Sequence, residues 1–271
     1  MKFTILFLFA IVAIVNCQET EGDRRITGGT NAVPGQFPWH ARLEPFNGIT
    51  RRICGGALIR YNWVLTAAQC IYGARDIIVR LGIVNILGGG GTSFLVRNAN
   101  HIITYPNYNG DVEHSIFQND IGLVFIAGAS ESILSNTINT VPLPNPYANF
   151  TDSFGLATGF GLTEDGNNAV QSMVLQFALL PIITREACRQ QHGTSVITDN
   201  HICANSFGGS STCAGDEGAP LITYINLNPV LVGIGSTPLK LCTQGYAAIF
   251  TDVPRYIDWI NRVIAFTPFN L

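Results

Sequence analysis

Short runs of aliphatic and β-branched residues recur along this chain of 271 residues, and turn-forming residues separate them. Runs of about four to eight such residues, bounded by Gly, Pro, Asn or Asp, are typical of β-strands. The clearest runs are residues 77–83, 121–126, 174–180, 221–225 and 230–234. A chain with many short strands is predicted to form an all-β fold of packed sheets or barrels.

One helix is predicted, and it lies near the C-terminus. Asp252 is suited to cap its start, and Pro254 is suited to its first turn. Apolar residues then recur at helical spacing and form one face. They are Tyr256, Trp259, Ile260 and Val263.

The N-terminal segment predicts secretion. A lysine precedes an almost unbroken apolar run over residues 3–15, and Val15 and Cys17 suit the two small-residue positions of a cleavage site. We therefore predict a signal peptide at residues 1–17, a short propeptide at residues 18–25 and an extracellular protein. A membrane anchor is the alternative, but the run is shorter than the roughly 20 residues that span a bilayer.

Composition argues against several classes of partner. Charged residues make up 12% of the chain, the formal net charge is −3 and no basic run occurs, so no nucleic-acid partner is expected. No later segment reaches the roughly 18 apolar residues of a membrane helix, so no membrane partner is expected. The glycines at residues 88–91 lack the helix start and lysine of a phosphate-binding loop, and we expect no cofactor.

Six cysteines follow the predicted signal peptide, and an even count in a secreted chain indicates disulfides. They are Cys54, Cys70, Cys188, Cys203, Cys213 and Cys242. Six cysteines can pair in many ways, so their spacing does not choose among the pairings. A zinc site is the alternative, but no Cys-x-x-Cys pair occurs and the histidines are scattered, so we expect no metal.

Asn149 begins an Asn-Phe-Thr sequence, which is the acceptor pattern for N-linked glycosylation. It follows a segment rich in proline and asparagine, as is typical of an exposed loop. We therefore predict that Asn149 is glycosylated in a secreted protein.

Two motifs carry the most specific signal. Residues 213–220 read Cys-Ala-Gly-Asp-Glu-Gly-Ala-Pro, and residues 63–70 read Trp-Val-Leu-Thr-Ala-Ala-Gln-Cys. Both resemble motifs of the trypsin/chymotrypsin family of serine peptidases. Further segments resemble that family in the same order, at residues 25–29, 37–39, 54–59 and 119–123. The resemblance covers nearly the whole chain after residue 25.

The resemblance implies a fold of two six-stranded antiparallel β-barrels followed by the C-terminal helix. The trypsin-like domain would occupy residues 26–271, with barrel 1 at about residues 26–135 and barrel 2 at about residues 136–271. It also implies three disulfides, namely Cys54–Cys70, Cys188–Cys203 and Cys213–Cys242. We expect the protein to be a monomer.

The family's reaction needs a hydroxyl nucleophile, an imidazole base and a buried carboxylate that orients the imidazole, while backbone amides hold the developing oxyanion. By resemblance, Asp120 matches the carboxylate and Gly215 an oxyanion-hole amide. Gln69 stands at the position of the base, and Glu217 stands at the position of the nucleophile. An amide side chain does not shuttle protons near neutral pH. The resemblance therefore implies a serine protease homologue without peptidase activity, a pseudoprotease.

The alternative is a weak or atypical serine-type endopeptidase that uses Glu217 or a different histidine. His114 precedes Asp120 in a segment that borders the cleft in this family, which makes it the one candidate. A solvent-exposed loop histidine is the simpler interpretation of His114.

The resemblance also implies that the substrate pocket departs from the family's pattern. Its positions are Ser211, Ser236, Thr237, Pro238 and Ala248. Ser211 would lie at the base of the pocket, and Thr237 would remove an aromatic wall. Pro238 has no N–H to donate to a bound peptide. Its ring, together with Ala248 at a position that is usually glycine, is expected to narrow the pocket.

The resemblance implies that the family's activation machinery is retained. Cleavage between Arg25 and Ile26 would free an ammonium group that pairs with the buried carboxylate of Asp216. Asp216 and Glu217 are expected to share one cleft with the carboxylate of the triad position. Glu217 should then bond to the Gln69 amide or have a pKa raised by like-charge proximity.

The predicted role is therefore binding rather than catalysis. We expect a secreted regulator of extracellular proteolysis. Its partner would be a protein or peptide, such as an active protease or one of the substrates of that protease.

Overall fold

Two antiparallel β-sheets pack against each other in the computed structural model, and short helices flank them. The structure describes residues 29–88, 91–96, 101–108, 110, 118–166, 169–206, 211–236, 242 and 244–266. The predicted signal peptide, propeptide and cleavage site lie outside these residues. So do His114, Thr237 and Pro238.

Fourteen strands lie within the described residues, and each is short. In chain order they are β1 (Thr30–Asn31), β2 (His40–Phe46), β3 (Cys54–Arg60), β4 (Trp63–Thr66), β5 (Asp76–Leu81), β6 (Thr92–Val96), β7 (Ile102–Thr104), β8 (Gly122–Phe125), β9 (Phe154–Gly159), β10 (Gln176–Ile183), β11 (His201–Ala204), β12 (Pro220–Ile225), β13 (Asn228–Gly235) and β14 (Ala248–Asp252). Each of the five runs identified in the sequence contains one of these strands, in whole or in large part.

The first sheet contains strands β2 to β8 in the order β6-β5-β2-β3-β4-β8-β7. All neighbouring pairs are antiparallel. Side chains alternate between the two faces along a strand, and in β5 the residues Ile77, Val79 and Leu81 are buried while their neighbours are partly exposed. The end of β4 lies opposite the start of β8, with Thr66 paired to Gly122.

The second sheet closes into a barrel, because β10 pairs with β11 and also with β9. The closed order is β10-β11-β14-β13-β12-β9, with antiparallel pairs throughout. The predicted all-β architecture of two antiparallel barrels is therefore confirmed. β1 adds to β10, with Thr30 opposite Phe177. The described start of the chain thus joins the second barrel, although it was expected in barrel 1.

Three α-helices lie within the described residues, namely α1 (Ala68–Ile71), α2 (Arg185–His192) and α3 (Ile257–Phe266). A 3-10 helix, Val253–Tyr256, leads into α3, as the C-terminal pattern predicts. Asp252 does not cap this helix with its side chain, and its carboxylate instead lies 3.3 Å from the Arg255 guanidinium. The sequence does not predict α2, because only Cys188 of this helix is buried and no apolar face marks it. None of the described helices is long and apolar enough to cross a membrane.

One hydrophobic core joins the two barrels and the C-terminal helix. It includes Trp63 and Ile121 from the first barrel, Ile234 from the second barrel and Trp259 from α3. The Trp259 ring also contacts Tyr105 edge to face, at 5.3 Å between ring centroids. Because one core holds both barrels, residues at the ends of their strands keep fixed positions relative to each other.

Three disulfides cross-link the described residues. They are Cys54–Cys70, Cys188–Cys203 and Cys213–Cys242, which are the pairs that the resemblance implies. Cys54–Cys70 joins the start of β3 to α1.

Candidate functional site

The register of β4 and β8 brings Gln69 and Asp120 together. Gln69 lies in α1, just after β4, and Asp120 lies just before β8. The backbone N–H of Gln69 donates to Asp120 Oδ1 at 2.8 Å, and its side-chain Nε2 donates to Asp120 Oδ2 at 2.7 Å. Asp120 is fully buried, so Gln69 supplies two of the hydrogen bonds that a buried carboxylate needs.

Ser236, just beyond β13, completes this cluster from the second barrel. Its Oγ donates to Asp120 Oδ2 at 2.7 Å, and its carbonyl oxygen accepts from Gln69 Nε2. Burial raises the pKa of Asp120, and the hydrogen bonds from Gln69 and Ser236 oppose that rise. Each of the two N–H groups of the Gln69 amide therefore has an acceptor, which is Asp120 on the first barrel and Ser236 on the second.

Glu217 lies across the cleft from Gln69, in the turn that precedes β12. Its Oε2 accepts the backbone N–H of Gly215 at 2.8 Å. Gly215 has a φ of 94°, a conformation that glycine adopts without strain. Burial raises the pKa of Glu217, while the backbone N–H groups of Glu217 itself and of Gly215 oppose the rise.

The expectation that Glu217 bonds to the Gln69 amide is wrong, because Asp120 and Ser236 already accept from the two N–H groups of that amide. The alternative expectation, a raised pKa for Glu217, is confirmed in direction. Its main cause differs from the expected one. Burial contributes most, and the negative charge of Asp120 contributes least.

Asp216 is buried behind the same turn. Its Oδ1 accepts from the N–H of Gly161 at 2.8 Å, and its Oδ2 accepts from the N–H of Cys213 at 2.9 Å. Burial, with a smaller effect of the Glu217 charge, raises the pKa of Asp216 to about 7. A Cβ added at Gly159 would lie 1.9 Å from Asp216 Oδ1, so the carboxylate fits only because that position is glycine.

The predicted pocket positions fall in different places. Ser211 and Ser236 are buried, and the Ser211 Oγ has no hydrogen-bond partner among the residues the structure describes. Ala248 packs in the core of the second barrel. A cavity of only about 10 Å³ lies between Asp216, Ser236 and Ile249, which leaves room for about one water molecule and not for a large side chain. Its lining includes Ile249 and not Ala248.

Two features of the site are not predicted from the sequence. Gly159 and Gly161 leave room for Asp216, and only a fold can show which carboxylate a glycine makes room for. Arg52 lines two cavities beside Gln69, of about 220 and 210 Å³. The one available signal for Arg52 was its position close before Cys54.

One group of potential metal ligands occurs among the described residues, formed by Asp165, Cys213 and Cys242. The two cysteines are joined in a disulfide, so neither sulfur is a thiolate that could bind a metal. A further cavity of about 240 Å³ lies away from this cleft and is lined by Asn149, Arg185 and Asp252.

The fold and the site together define a class of protein, in which two antiparallel β-barrels place a buried carboxylate cluster in the cleft between them. The family model described as Trypsin matches residues 26–260. The chain therefore belongs to the trypsin family.

Several named proteins are similar to this chain over most of its length. The chain is 34% identical over 244 residues to brachyurin of Leptuca pugilator, a match that covers 90% of this chain and 100% of the relative. It is 32% identical over 244 residues to coagulation factor IX of Oryctolagus cuniculus, with 89% and 86% covered. The solved structure of HL collagenase superposes with a TM-score of 0.76 at 27% identity and covers 88% of this chain and 98% of its own.

Proposed function

We propose that this trypsin-family protein is a secreted pseudoprotease that binds a peptide or protein partner and does not cleave it. The observation that carries the proposal is the bond from the Gly215 N–H to Glu217 Oε2 at 2.8 Å. In a peptidase of this family, the amide of this turn holds the oxyanion that develops from the substrate carbonyl. Here a carboxylate of the protein itself takes that donor.

The residues at the triad positions support the same proposal. Gln69 donates to Asp120 and Ser236 with both of its amide N–H groups, but an amide cannot take a proton from a nucleophile and return it to a leaving group. Glu217 presents a carboxylate that would have to attack without such a proton shuttle. Losing base and nucleophile together removes most of the rate enhancement of a serine triad.

The sequence at the proposed pocket and activation junction adds to the proposal. Pro238 lacks an N–H with which to bind the backbone of a substrate. Cleavage between Arg25 and Ile26 would deliver an ammonium group to the buried carboxylate of Asp216, and we propose that this pairing reorganises the turn that carries Glu217.

We expect activated protein to be inert towards peptides. Protein cleaved after Arg25, as verified by N-terminal sequencing, should hydrolyse neither basic-P1 nor aromatic-P1 chromogenic peptides above blank. It should also remain unlabelled by a fluorophosphonate probe, with an active trypsin as the positive control. The reason is the absence of a hydroxyl nucleophile and a proton shuttle.

The matched variant is Glu217→Ala, which removes the carboxylate that stands at the nucleophile position. Turnover that copurifies with the wild-type protein and disappears in Glu217→Ala would overturn the proposed function. It would favour the alternative of a weak or atypical endopeptidase.

Secretion can be tested at Asn149, whose side chain is exposed. Its Oδ1 accepts from the N–H of Thr151 at 3.0 Å and from the Thr151 Oγ at 2.8 Å, so the asparagine and hydroxyl of the acceptor pattern already face each other. We expect protein from a eukaryotic secretory host to lose mass on treatment with a glycosidase specific for N-linked glycans. Asn149→Gln should abolish the shift, and an unchanged shift in this variant would contradict the assignment.

A further inference from the structure

The larger cavity beside Gln69 has a distinctive chemistry. It measures about 220 Å³ and is lined by Pro45, Arg52, Tyr72, Ala74 and Tyr108, with polar backbone and side-chain groups between them. We call this cavity the Arg52 pocket. A second cavity of about 210 Å³ shares Arg52 and Gln69 with it and reaches Gly215 and Glu217. The Arg52 pocket is therefore next to the proposed site but separate from the Gly215 amide.

Arg52 gives the pocket its charge. Within the described lining, it is the only charged side chain. Its Nη2 donates to the backbone carbonyl of Gln69, which orients the guanidinium but does not neutralise it. The neighbouring Arg51 differs, because its guanidinium donates to Asp76 Oδ1 at 2.8 Å. A guanidinium has five N–H donors, so Arg52 retains donors for a ligand.

Glu217 does not pair with Arg52 in the described structure. Its carboxylate turns onto the Gly215 N–H, although the positive charge of Arg52 lowers its pKa slightly against the effect of burial. The Arg52 pocket therefore contains a positive charge, and no carboxylate in its described lining neutralises that charge. Such a site favours a carboxylate, which a guanidinium binds through two parallel hydrogen bonds.

The lining of the Arg52 pocket also includes two aromatic rings. Tyr72 and Tyr108 pack edge to face, with ring centroids 5.5 Å apart. Tyr72 is 56% exposed and Tyr108 is 8% exposed, so among the described residues the Tyr72 ring is partly open to a ligand and the Tyr108 ring supports it. Exposed aromatic faces next to an arginine are typical of peptide-binding sites.

We propose that the Arg52 pocket binds an acidic segment of a peptide or protein partner. A glutamate or aspartate carboxylate accepts hydrogen bonds from the Arg52 guanidinium, and an apolar neighbour of that residue packs on Tyr72. This inference rests on the proposed function in one respect, which is that the cleft serves as a binding surface. The partner does not need the Gly215 amide, because that donor is occupied by Glu217.

Calorimetric titration of the full secreted chain tests the proposal with two blocked hexapeptides. One alternates glutamate with leucine, and the other alternates glutamine with leucine. At low ionic strength we expect the acidic peptide to bind at least about tenfold more tightly, and the difference to shrink with added salt because exposed charges are screened. Arg52→Gln should abolish the preference.

Arg60→Gln is the matched control, because Arg60 is an exposed arginine at the other end of β3 and its loss changes the net charge equally. This variant should retain the preference. Equal binding of both peptides, binding of neither peptide, or an equal loss in the two arginine variants would overturn the proposal.

The chain itself contains a competing acidic segment, since Asp111 and Glu113 follow Gly110, which lines the pocket. If wild type binds no acidic peptide and the variant with Asp111→Asn and Glu113→Gln does, the pocket serves the chain itself and the proposal fails. Hydrolysis of the peptide, detected by mass spectrometry, would instead count against the proposed function and leave recognition by Arg52 intact.

Discussion

The double substitution Gln69→His with Glu217→Ser is expected to convert an inert protein into one that a small fluorophosphonate labels, at a rate at least about 10³-fold above that of wild type. Asp120 already accepts from both the backbone and the side chain of residue 69, so it can hold an imidazole in place. Removing the Glu217 carboxylate also frees the Gly215 N–H for an oxyanion. A serine at residue 217 would then have base, orienting carboxylate and oxyanion donor.

Three further variants define the result. Gln69→His alone and Glu217→Ser alone should each remain close to wild type, because base and nucleophile act as a unit. Adding Asp120→Asn to the double variant should slow labelling strongly, since the imidazole would lose the carboxylate that sets its tautomer. If the folded double variant is not labelled, the geometry of Asp120 and Gly215 is not that of a working triad.

Uncleaved protein is expected to lose stability as the pH rises from about 4 to about 7. The pKa of Asp216 is raised from 3.8 to about 7 in the folded chain, so over this range the folded state keeps a proton that the unfolded state releases. The contribution is fully present below pH 4 and is lost above pH 7. A pKa difference of about three corresponds to about 4 kcal/mol of unfolding free energy, as an order of magnitude.

Asp216→Asn isolates this contribution from those of other titrating groups. Urea unfolding of wild type and variant at pH 4 and pH 8 should show a free-energy difference between the two proteins that changes with pH by a few kcal/mol. A difference that is equal at both pH values would contradict the assignment. In protein cleaved after Arg25, an Ile26 ammonium beside Asp216 should lower the pKa of that carboxyl and remove the loss of stability.

Much of the fold follows from the sequence because its determinants are local. Short β-branched runs between turn residues predict the strands, and β5 and β13 lie where the pattern places them. The C-terminal apolar face predicts α3. The motifs around Gln69 and Glu217 identify the family, which the match over residues 26–260 shows. Which residue type stands at each triad position is likewise readable from the sequence alone.

The bonding partners of those residues were decided only by the tertiary structure. Glu217 bonds to the Gly215 N–H and not to Gln69, because Gln69 is held by Asp120 on one barrel and by Ser236 on the other. These hydrogen bonds depend on the positions of groups that are far apart in the chain. Each N–H group can donate to few acceptors at once, so the acceptor that lies nearest in the fold excludes the others. The role of Gly159 beside Asp216 and the position of Arg52 beside Gln69 have the same origin. Packing of the two barrels around one core sets these distances, and no local pattern records them.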